Sequence, residues 1–294
     1  MDEQDWLAKR FEENRGRLKA VAYRMLGSVN EADDAVQEAW LRLSHSRASS
    51  VENLSGWLTT VVARICLDML RSRQTRREEP LEAHVPDPIV SRDSASDPEQ
   101  ETLLADSVGL ALLVVLETLE PAERLAFVLH DMFSVPFDEL AGILGRSSAA
   151  ARQLASRARR RVQGAAPAPD TDVSRQREIV NAFLAASRHG DFEALLAVLD
   201  PDVVLRADAG LLQPGVSKVV RGATRVAEQA LLFSSLAQHC RLALVNGTPG
   251  LVTAPGGQPY SVVGFTIRHG KIVEIDILAD PERLRQLNLS VLTE

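Results

Sequence analysis

Four neighbouring side chains near the middle of the chain have the chemistry needed to read the edges of DNA bases. In the stretch SAAARQLASRARRRV, the side chains of Arg152, Gln153, Ser156 and Arg157 fall on one side of a helix with 3.6 residues per turn. Arginine can donate two hydrogen bonds to guanine, and glutamine can pair with adenine. The run Arg159–Arg161 follows directly and could neutralise phosphates. Because an arginine run alone can also be a solvated helix end, the surrounding elements decide between the two interpretations.

Those elements have the pattern of a helix-turn-helix. Two amphipathic segments, Pro136–Leu144 and Ser148–Val162, meet at Gly145, which is free to adopt the left-handed conformation of a tight turn. Ser147 has a hydroxyl oxygen suited to capping the second helix. The inward side of that helix is apolar and consists of Ala151, Leu154, Ala155, Ala158 and Val162. In such a motif the second helix enters the major groove and the first braces it, so DNA binding is favoured.

The composition limits the class of protein. The chain has 294 residues, 45% hydrophobic and 25% charged, which is typical of a soluble protein of two or three domains. It has no apolar run of about 18 residues and no apolar core of a signal peptide, so we expect a cytoplasmic protein without a membrane span. The two cysteines, Cys66 and Cys240, give neither a disulfide framework nor zinc spacing, and we expect no metal and no cofactor.

The distribution of charge predicts a bipartite contact with DNA. A net charge of −7 argues against a protein that coats nucleic acid. Basic residues are nevertheless concentrated in two segments, Arg64–Arg77 and Arg146–Arg161, on either side of an acidic middle. Local DNA reading at two places is therefore compatible with the overall acidity.

Breaks in composition predict three domains. Residues 1–78 are expected to form a helical bundle, and 103–164 the helix-turn-helix domain. Between them, 79–102 form an acidic, proline-rich linker that we expect to be extended and not packed. After a second linker at 165–173, residues 174–294 predict an α+β domain with an antiparallel sheet, whose clearest signal is a hairpin around His269-Gly270.

The segment Glu31–Leu43 predicts a helix with an acidic outer face. Its apolar stripe runs from Val36 to Leu43 at helical spacing. The outer face carries Asp33, Asp34, Gln37, Glu38 and Leu41. An acidic face with one leucine suits a basic protein partner, and an ordinary solvated face is the alternative.

The next helical segment, GWLTTVVARICLDMLRSRQTRR, predicts a basic ridge that could track a DNA strand. Arg64, Asp68 and Arg71 share one side of this helix. Arg73 and the pair Arg76-Arg77 continue the positive charge. The polar loop before the helix, SHSRASSVENLSG, could receive an unstacked base.

In this order, the acidic helix, the basic helix, the acidic linker and the helix-turn-helix resemble the bacterial sigma factors of the extracytoplasmic-function (ECF) class, from about Asp5 to Val162. The resemblance implies two all-α sigma domains. In that family the acidic helix docks on the clamp helices of the β′ subunit of core RNA polymerase. The basic helix and its loop melt and read the downstream promoter element, and the helix-turn-helix reads the upstream element. The linker would thread toward the RNA exit path, with a solvated tether as the alternative.

The resemblance assigns roles to individual positions. Polymerase binding falls to Asp33, Asp34, Gln37, Glu38 and Leu41. DNA binding in the first domain falls to Asn53, Arg64, Asp68, Arg71 and Arg73. DNA binding in the helix-turn-helix falls to Ser148, Ala149, Arg152, Gln153, Arg157 and Arg160.

The segments IVNAFLAASRHGDFEALLAVLDPDVVLRAD and IRHGKIVEIDILADPERL resemble the NTF2/SnoaL-like fold, in which helices and a curved antiparallel sheet enclose a conical pocket. In one sigma subgroup (the SigJ/SigI-like proteins) such a domain replaces a separate anti-sigma protein and modulates activity from within the chain. Part of that subgroup has an Asp-Gly-Gly-Gly-Lys motif where this chain has Asp208-Ala209-Gly210-Leu211-Leu212. The resemblance implies regulatory positions at Pro86, Asp87, Pro88, Asp208, Asp280 and Pro281.

Two other functions stay open at the level of sequence. Relatives of the last fold catalyse cyclisation or isomerisation with an Asp or His, for which Asp208, His239 and Asp276 are candidates. A regulator fused to an NTF2-like enzyme or ligand-binding domain is therefore one alternative, and a small-molecule ligand is a possible partner. A helix-turn-helix repressor is the other, although the acidic face of Glu31–Leu43 argues against it. We interpret the chain as a non-enzymatic sigma factor with core RNA polymerase and promoter DNA as its partners.

Overall fold

The computed structural model describes residues 3–45, 53–75, 83–91, 109–165, 170–210 and 218–289. The described residues fold into two compact units. The first contains 3–45, 53–75 and 115–165, and the second contains 83–91, 109–114, 170–210 and 218–289.

The first unit begins with three helices whose apolar stripes face one another. They are α1 (Glu3–Leu26), α2 (Val29–His45) and α3 (Leu54–Thr75). On α2 the buried positions include Val36, Ala39 and Leu43, which is the predicted stripe. Gly27 has φ 72, a left-handed value that lets the chain reverse between α1 and α2. The predicted helical bundle is confirmed.

The rest of the first unit contains the helix-turn-helix. Helix α4 spans Leu110–Glu117, and its part from Val115 onward belongs to this unit. The elements that follow are α5 (Pro121–Phe127), a π-helical turn (Val128–Met132), α6 (Phe137–Leu144) and α7 (Ser148–Ala165). Gly145 ends α6 with φ 64 and ψ 35. The Oγ of Ser147 accepts a hydrogen bond from the Ala150 N–H at 3.2 Å. The predicted turn and cap are therefore both confirmed.

The helix-turn-helix packs against the three-helix bundle within this unit. The Nε of Arg124, a buried residue of α5, donates to the carbonyl oxygen of Arg24 at 3.1 Å. Nearer the surface, the side chain of Gln74 donates to Glu120 at 3.0 Å. The two predicted sigma domains thus share one packed unit in this conformation.

The second unit is α+β. Its described helices are α8 (Val173–His189), α9 (Phe192–Val198), α10 (Ala223–Leu232), α11 (Ser234–Ala237) and α12 (Pro281–Gln286). Its described strands are β1 (Val90–Ser91), β2 (Leu199–Asp208), β3 (Lys218–Arg221), β4 (Cys240–Val245), β5 (Thr248–Thr253), β6 (Ser261–Arg268) and β7 (Lys271–Leu278). They form one sheet in the order β1-β4-β5-β6-β7-β2-β3.

The sheet is mostly antiparallel, as predicted, with one exception. The hairpin of β6 and β7 turns at His269 (φ 52) and Gly270 (φ 73), where the sequence placed it. The pairing of β2 with β7 is parallel, which the sequence did not indicate. Alternation puts Leu205, Phe265 and Ile275 on the inner face, where they pack in the apolar core with α8 and α9. The opposite face of β2 and β7 carries the polar side chains discussed below.

The expectation of an unpacked linker is wrong for residues 83–91. Strand β1 pairs antiparallel with β4, and the Ile89 carbonyl accepts from the Asn246 N–H at 2.8 Å. The Asn246 Oδ1 accepts from the Ile89 N–H at 3.0 Å. Val85, Ile89 and Val90 are buried. The prolines keep this segment extended, and an extended apolar segment can cover a sheet edge that would otherwise expose unpaired N–H and C=O groups.

Candidate polymerase, DNA and regulatory sites

The predicted polymerase-binding side chains lie together on the outer face of α2. Asp34, Gln37 and Leu41 are exposed, Leu41 to 45%. Asp33 accepts a hydrogen bond from Lys19 at 2.9 Å, and Glu38 pairs with a neighbouring arginine one turn later. An exposed leucine within a partly neutralised acidic face is suited to a partner that presents both apolar and basic groups.

A groove between α1 and α2 adjoins this face and was not predicted from the sequence. Its lining residues are Ala8, Phe11, Glu12, Arg15, Asp33, Val36, Gln37 and Trp40. The rings of Phe11 and Trp40 lie 5.1 Å apart at its base. The contribution of α1 was not recognised because helical periodicity describes one helix at a time and does not show that two helices enclose a groove.

The basic helix α3 has its predicted residues in two different environments. Arg64, Asp68 and Arg71 are exposed, and Asp68 and Arg71 form a loose pair at 3.7 Å. The Nη2 of Arg64 donates to the carbonyl oxygen of Gly142 in α6 at 3.0 Å. One predicted DNA contact on α3 is therefore bonded to the helix-turn-helix in this conformation.

Arg73 and Asn53 have structural contacts that the sequence did not reveal. The guanidinium of Arg73 forms an ion pair with Glu31 and donates to the Leu26 carbonyl oxygen at 3.2 Å. The Asn53 Oδ1 accepts from the Gly56 N–H at 3.0 Å and caps α3. Loop residues 46–52 and the pair Arg76-Arg77 lie outside the described residues.

The recognition helix α7 exposes most of its predicted DNA-reading residues. Exposed side chains are Ala149, Arg152, Gln153, Ser156, Arg157 and Arg160. Ser148 is half-buried, and its Oγ donates to the Asp138 Oδ1 at 2.6 Å. This bond joins the beginning of α6 to the beginning of α7 and fixes the entry of the recognition helix.

The arginine run is less free than the sequence suggests. Arg159 contacts Asp131 at 2.5 Å, and Arg161 contacts the buried Glu123 at 3.0 Å. Arg157 also lies 3.5 Å from Glu123. Carboxylates of α5 and the π-helical turn thus bind Arg159 and Arg161 in this conformation, and phosphate contact by the run stays a prediction.

Two of the predicted regulatory residues, Asp87 and Asp208, meet in one cluster of the second unit with His84 and Arg283. We call these four residues the linker clasp. Arg283 donates from Nε to Asp87 at 2.7 Å and from Nη1 to Asp208 at 2.8 Å. Its Nη2 donates to the Val85 carbonyl oxygen at 2.6 Å. One guanidinium thus joins α12 to the end of β2 and to the segment 83–91.

Asp208 is the most enclosed member of the clasp, at 1% exposure. Its Oδ2 lies 3.1 Å from the Nδ1 of His84 and accepts from the Val85 N–H at 3.0 Å. Burial alone would raise the pKa of Asp208, but the hydrogen bonds from His84 and from the N–H groups of Val85 and Gly210 lower it to about 2. The carboxylate is therefore charged at neutral pH and bound on several sides.

The remaining predicted regulatory positions lie next to the clasp in the chain. Asp280 caps α12 by accepting from the Glu282 N–H at 2.8 Å, and Pro281 is the first residue of that helix. Pro86 and Pro88 are buried on either side of Asp87. The sequence analysis singled out Asp87, Asp208 and Asp280 but gave no role to His84 or Arg283, whose partners lie far away in the chain.

The three candidate catalytic residues of the second unit are not assembled into one site. Asp208 belongs to the clasp, and Asp276 accepts from the Nη1 of Arg206 at 2.9 Å. Burial raises the pKa of Asp276 to about 6 despite that arginine. His239 is exposed in the turn that precedes β4. Among the described residues no hydrogen bond joins any two of these three side chains. Asp208 and Asp276 both lie on the face of the sheet opposite the apolar core, where each is buried.

The architecture of the first unit is that of a class of protein, the helix-turn-helix transcription factors. A helix-turn-helix with an exposed recognition helix supplies DNA reading, and a helical bundle presents an acidic partner face together with a basic helix. The described residues contain no helix that is long and apolar enough to cross a membrane.

Comparison with known proteins gives the family. Residues 10–76 match the model of Sigma-70 region 2, and residues 109–162 match that of Sigma-70, region 4. The chain is 41% identical over 287 residues to the ECF RNA polymerase sigma factor SigJ of Mycobacterium tuberculosis, covering 93% of this chain and 91% of that protein. It is 36% identical over 291 residues to the probable ECF RNA polymerase sigma factor SigI of the same species, covering 98% of each.

A solved structure agrees with these matches. The crystal structure of M. tuberculosis SigJ has a TM-score of 0.79 and 38% identity, over 96% of this chain and 99% of that one. The chain therefore belongs to the ECF RNA polymerase sigma factors, the proteins that direct RNA polymerase to promoters. The resemblance noted in the sequence is confirmed, as is the order of helical sigma domains followed by an α+β domain.

Proposed function

We propose that this sigma factor binds the clamp helices of the β′ subunit through the outer face of α2. The observation that carries this proposal is the exposure of Asp34, Gln37 and Leu41 on one face, next to the groove between α1 and α2. Charge on such a face steers association and selects a basic partner, while the exposed leucine supplies apolar contact.

Promoter reading is divided between the two helical parts of the first unit. The exposed Arg64 and Arg71 of α3 would contact the downstream element, with Asn53 near the loop that precedes them. Ser148, Ala149, Arg152, Gln153, Arg157 and Arg160 of α7 would contact the upstream element. Because Arg64 is bonded to Gly142 in α6, simultaneous reading of both elements requires the bundle and the helix-turn-helix to separate.

The second unit modulates this activity and performs no catalysis of its own. The linker clasp holds residues 83–91 on the α+β domain, so the length of chain available between the two sigma domains depends on whether the clasp is closed. The apolar packing of the inner sheet face favours regulation through the linker over a small-molecule ligand. We place the protein in the cytoplasm, where its polymerase partner acts.

A co-purification experiment tests the polymerase contact. The double variant Asp34→Arg with Glu38→Arg should lose binding to core RNA polymerase and keep its fold. The matched control, Asp5→Arg with Glu13→Arg, reverses the same number of exposed charges on α1 and should bind normally. Unchanged co-purification of the α2 variant would contradict the proposal.

Transcription in vitro tests the role of the second unit. The full chain and a version ending at Val162 are compared with purified core polymerase, on promoter DNA selected by the holoenzyme from a random library. Promoter-dependent initiation by the full chain is expected. A higher yield from the short version identifies the second unit as an inhibitor, and a lower yield identifies it as a required part. Equal yields would contradict a modulating role.

A further inference from the structure

The guanidinium of Arg152 lies over the ring of Phe137, the first residue of α6. Its Cζ is 5.4 Å from the ring centroid, a distance at which a cation is attracted to the face of an aromatic ring. The Phe137 ring also stacks on the imidazole of His130, with centroids 3.7 Å apart and planes inclined by 30°. The Nδ1 of His130 is in turn 2.9 Å from the Val135 carbonyl oxygen. A column of side chains thus connects the π-helical turn with the exposed face of α7.

The backbone below this column is unusual. The π-helical turn Val128–Met132 contains His130, and Ser134 has φ 58, a left-handed value that is uncommon for a residue other than glycine. Both features cost conformational energy, and both occur frequently where a side chain has to be held in a particular place. Here they bring His130 against the ring of Phe137.

Arg152 differs from the other arginines of α7 in the group that holds it. Arg157, Arg159 and Arg161 contact carboxylates, and Arg160 donates to the backbone carbonyl oxygen of Ser156. No acidic side chain within the described ranges forms an ion pair with Arg152. The face of an aromatic ring attracts the positive charge of a guanidinium. Unlike a carboxylate, the ring does not take up the N–H donors of the guanidinium in strong hydrogen bonds. The fork of Arg152 therefore remains able to donate to the O6 and N7 atoms of a guanine.

We propose that Phe137 is a positioning residue that orients Arg152 toward a guanine of the upstream promoter element, and that His130 supports the ring by stacking on it. The proposal rests on the proposed function, in which α7 reads that element. A free arginine side chain loses rotamer freedom when it binds a base. The ring restricts Arg152 before DNA arrives, so less freedom is lost on binding.

The test uses holoenzyme made from core polymerase and the full chain. Its probe is duplex DNA selected by that holoenzyme, with each guanine of the upstream element replaced in turn by 7-deazaguanine, which lacks only the N7 acceptor. For the wild type, one position is expected to lose affinity by about 5-fold or more. Arg152→Ala should abolish this difference, Phe137→Leu should reduce it to less than half, and Phe137→Tyr should retain it. Phe133→Leu is the matched control, because the Phe133 ring lies beside Arg24 instead.

A shape-preserving change separates positioning from folding. Replacing the Phe137 ring by its pentafluorinated analogue keeps the packing and reverses the charge distribution of the ring face. The affinity difference between guanine and 7-deazaguanine, which we call guanine discrimination, should then fall. The affinity for unrelated duplexes and the salt dependence of that affinity should stay constant. Unchanged discrimination with this ring, or an equal loss on all duplexes with Phe137→Leu, would overturn the positioning role alone. Discrimination that survives Arg152→Ala at every guanine would overturn both this role and the assignment of Arg152 to base reading.

Discussion

Removal of the Arg283 guanidinium is the most direct perturbation of the linker clasp. Arg283→Met keeps most of the side-chain length and deletes the hydrogen bonds to Asp87, Asp208 and the Val85 carbonyl oxygen. Two carboxylates, 6% and 1% exposed, then lose their shared cation. We expect the segment 83–91 to open from the sheet much more often than in the wild type.

The magnitude follows from burial. Breaking a buried ion pair by removing one partner costs about 3–5 kcal/mol. Here the Arg283 side chain keeps 21% exposure, and Asp208 keeps the hydrogen bonds from His84, Val85 and Gly210, so the lower end applies. A loss of about 3 kcal/mol in the free energy of local opening corresponds to roughly 100-fold faster exchange of amides protected only by the closed clasp.

Hydrogen exchange of the full chain measures this directly. The N–H groups of Val85 and Ile89 are bonded to Asp208 and Asn246 and should show the acceleration. Arg285→Met is the matched control on the same helix, because Arg285 is exposed and its Nε donates to the Pro281 carbonyl oxygen within that helix. Its effect should stay within about twofold. Wild-type exchange of both amides in Arg283→Met would refute the reasoning that this guanidinium holds the linker.

Three further predictions concern single positions. Gly145→Ala should destabilise the first unit by about 1 kcal/mol, because Gly145 has a positive φ that alanine adopts only with strain. Gly142→Ala should stabilise the unit by about 0.5–1 kcal/mol, because Gly142 lies in a helix interior with open space where the Cβ would be. Equal urea midpoints for the two variants would contradict this pair of predictions. The pKa of Asp276 is raised to about 6 in the folded protein. The protonated side chain therefore contributes to the free energy of unfolding fully below about pH 4, and this contribution is lost as the pH rises through 6. Asp276→Asn should flatten that decline when stability is measured by urea denaturation at each pH. Glu123→Gln should free two arginines of α7 and steepen the salt dependence of non-specific DNA binding by up to about 1.8 in log–log slope; an unchanged slope would count against it.

The parts of the fold that were predictable depend on neighbours in the chain. The turn at Gly145 and the cap by Ser147 follow from the conformational freedom of glycine and the reach of a hydroxyl group, both local properties. The hairpin at His269-Gly270 is equally local. Helical periodicity likewise placed Asp34 and Leu41 correctly on the exterior of α2, because the buried stripe of a helix fixes its opposite face.

The parts that were missed depend on partners distant in sequence. Arg283 meets Asp87 across 196 positions, and Ile89 meets Asn246 across 157. A single sequence shows that 83–91 is extended but not which sheet edge it covers. The same limit applies to Arg73, whose position on the helix suggested exposure, whereas a carboxylate of α2 binds its guanidinium. Hydrophobic periodicity describes one helix or strand at a time. It does not show which charged side chains of different elements form ion pairs.

The contact between the bundle and the helix-turn-helix affects how promoter binding is regulated. Its rim is polar and exposed, with Arg64 bonded to Gly142 and Gln74 to Glu120. Its centre contains the buried Arg124, where burial lowers the pKa of the guanidinium to about 10. A buried charge makes a contact less stable than an apolar one of the same size, because separation returns the charge to water. Such a contact can close the free protein and still open when polymerase and DNA bind. Each 1.4 kcal/mol by which the closed form is favoured lowers the apparent promoter affinity about tenfold, so a modest change at this interface is sufficient for regulation.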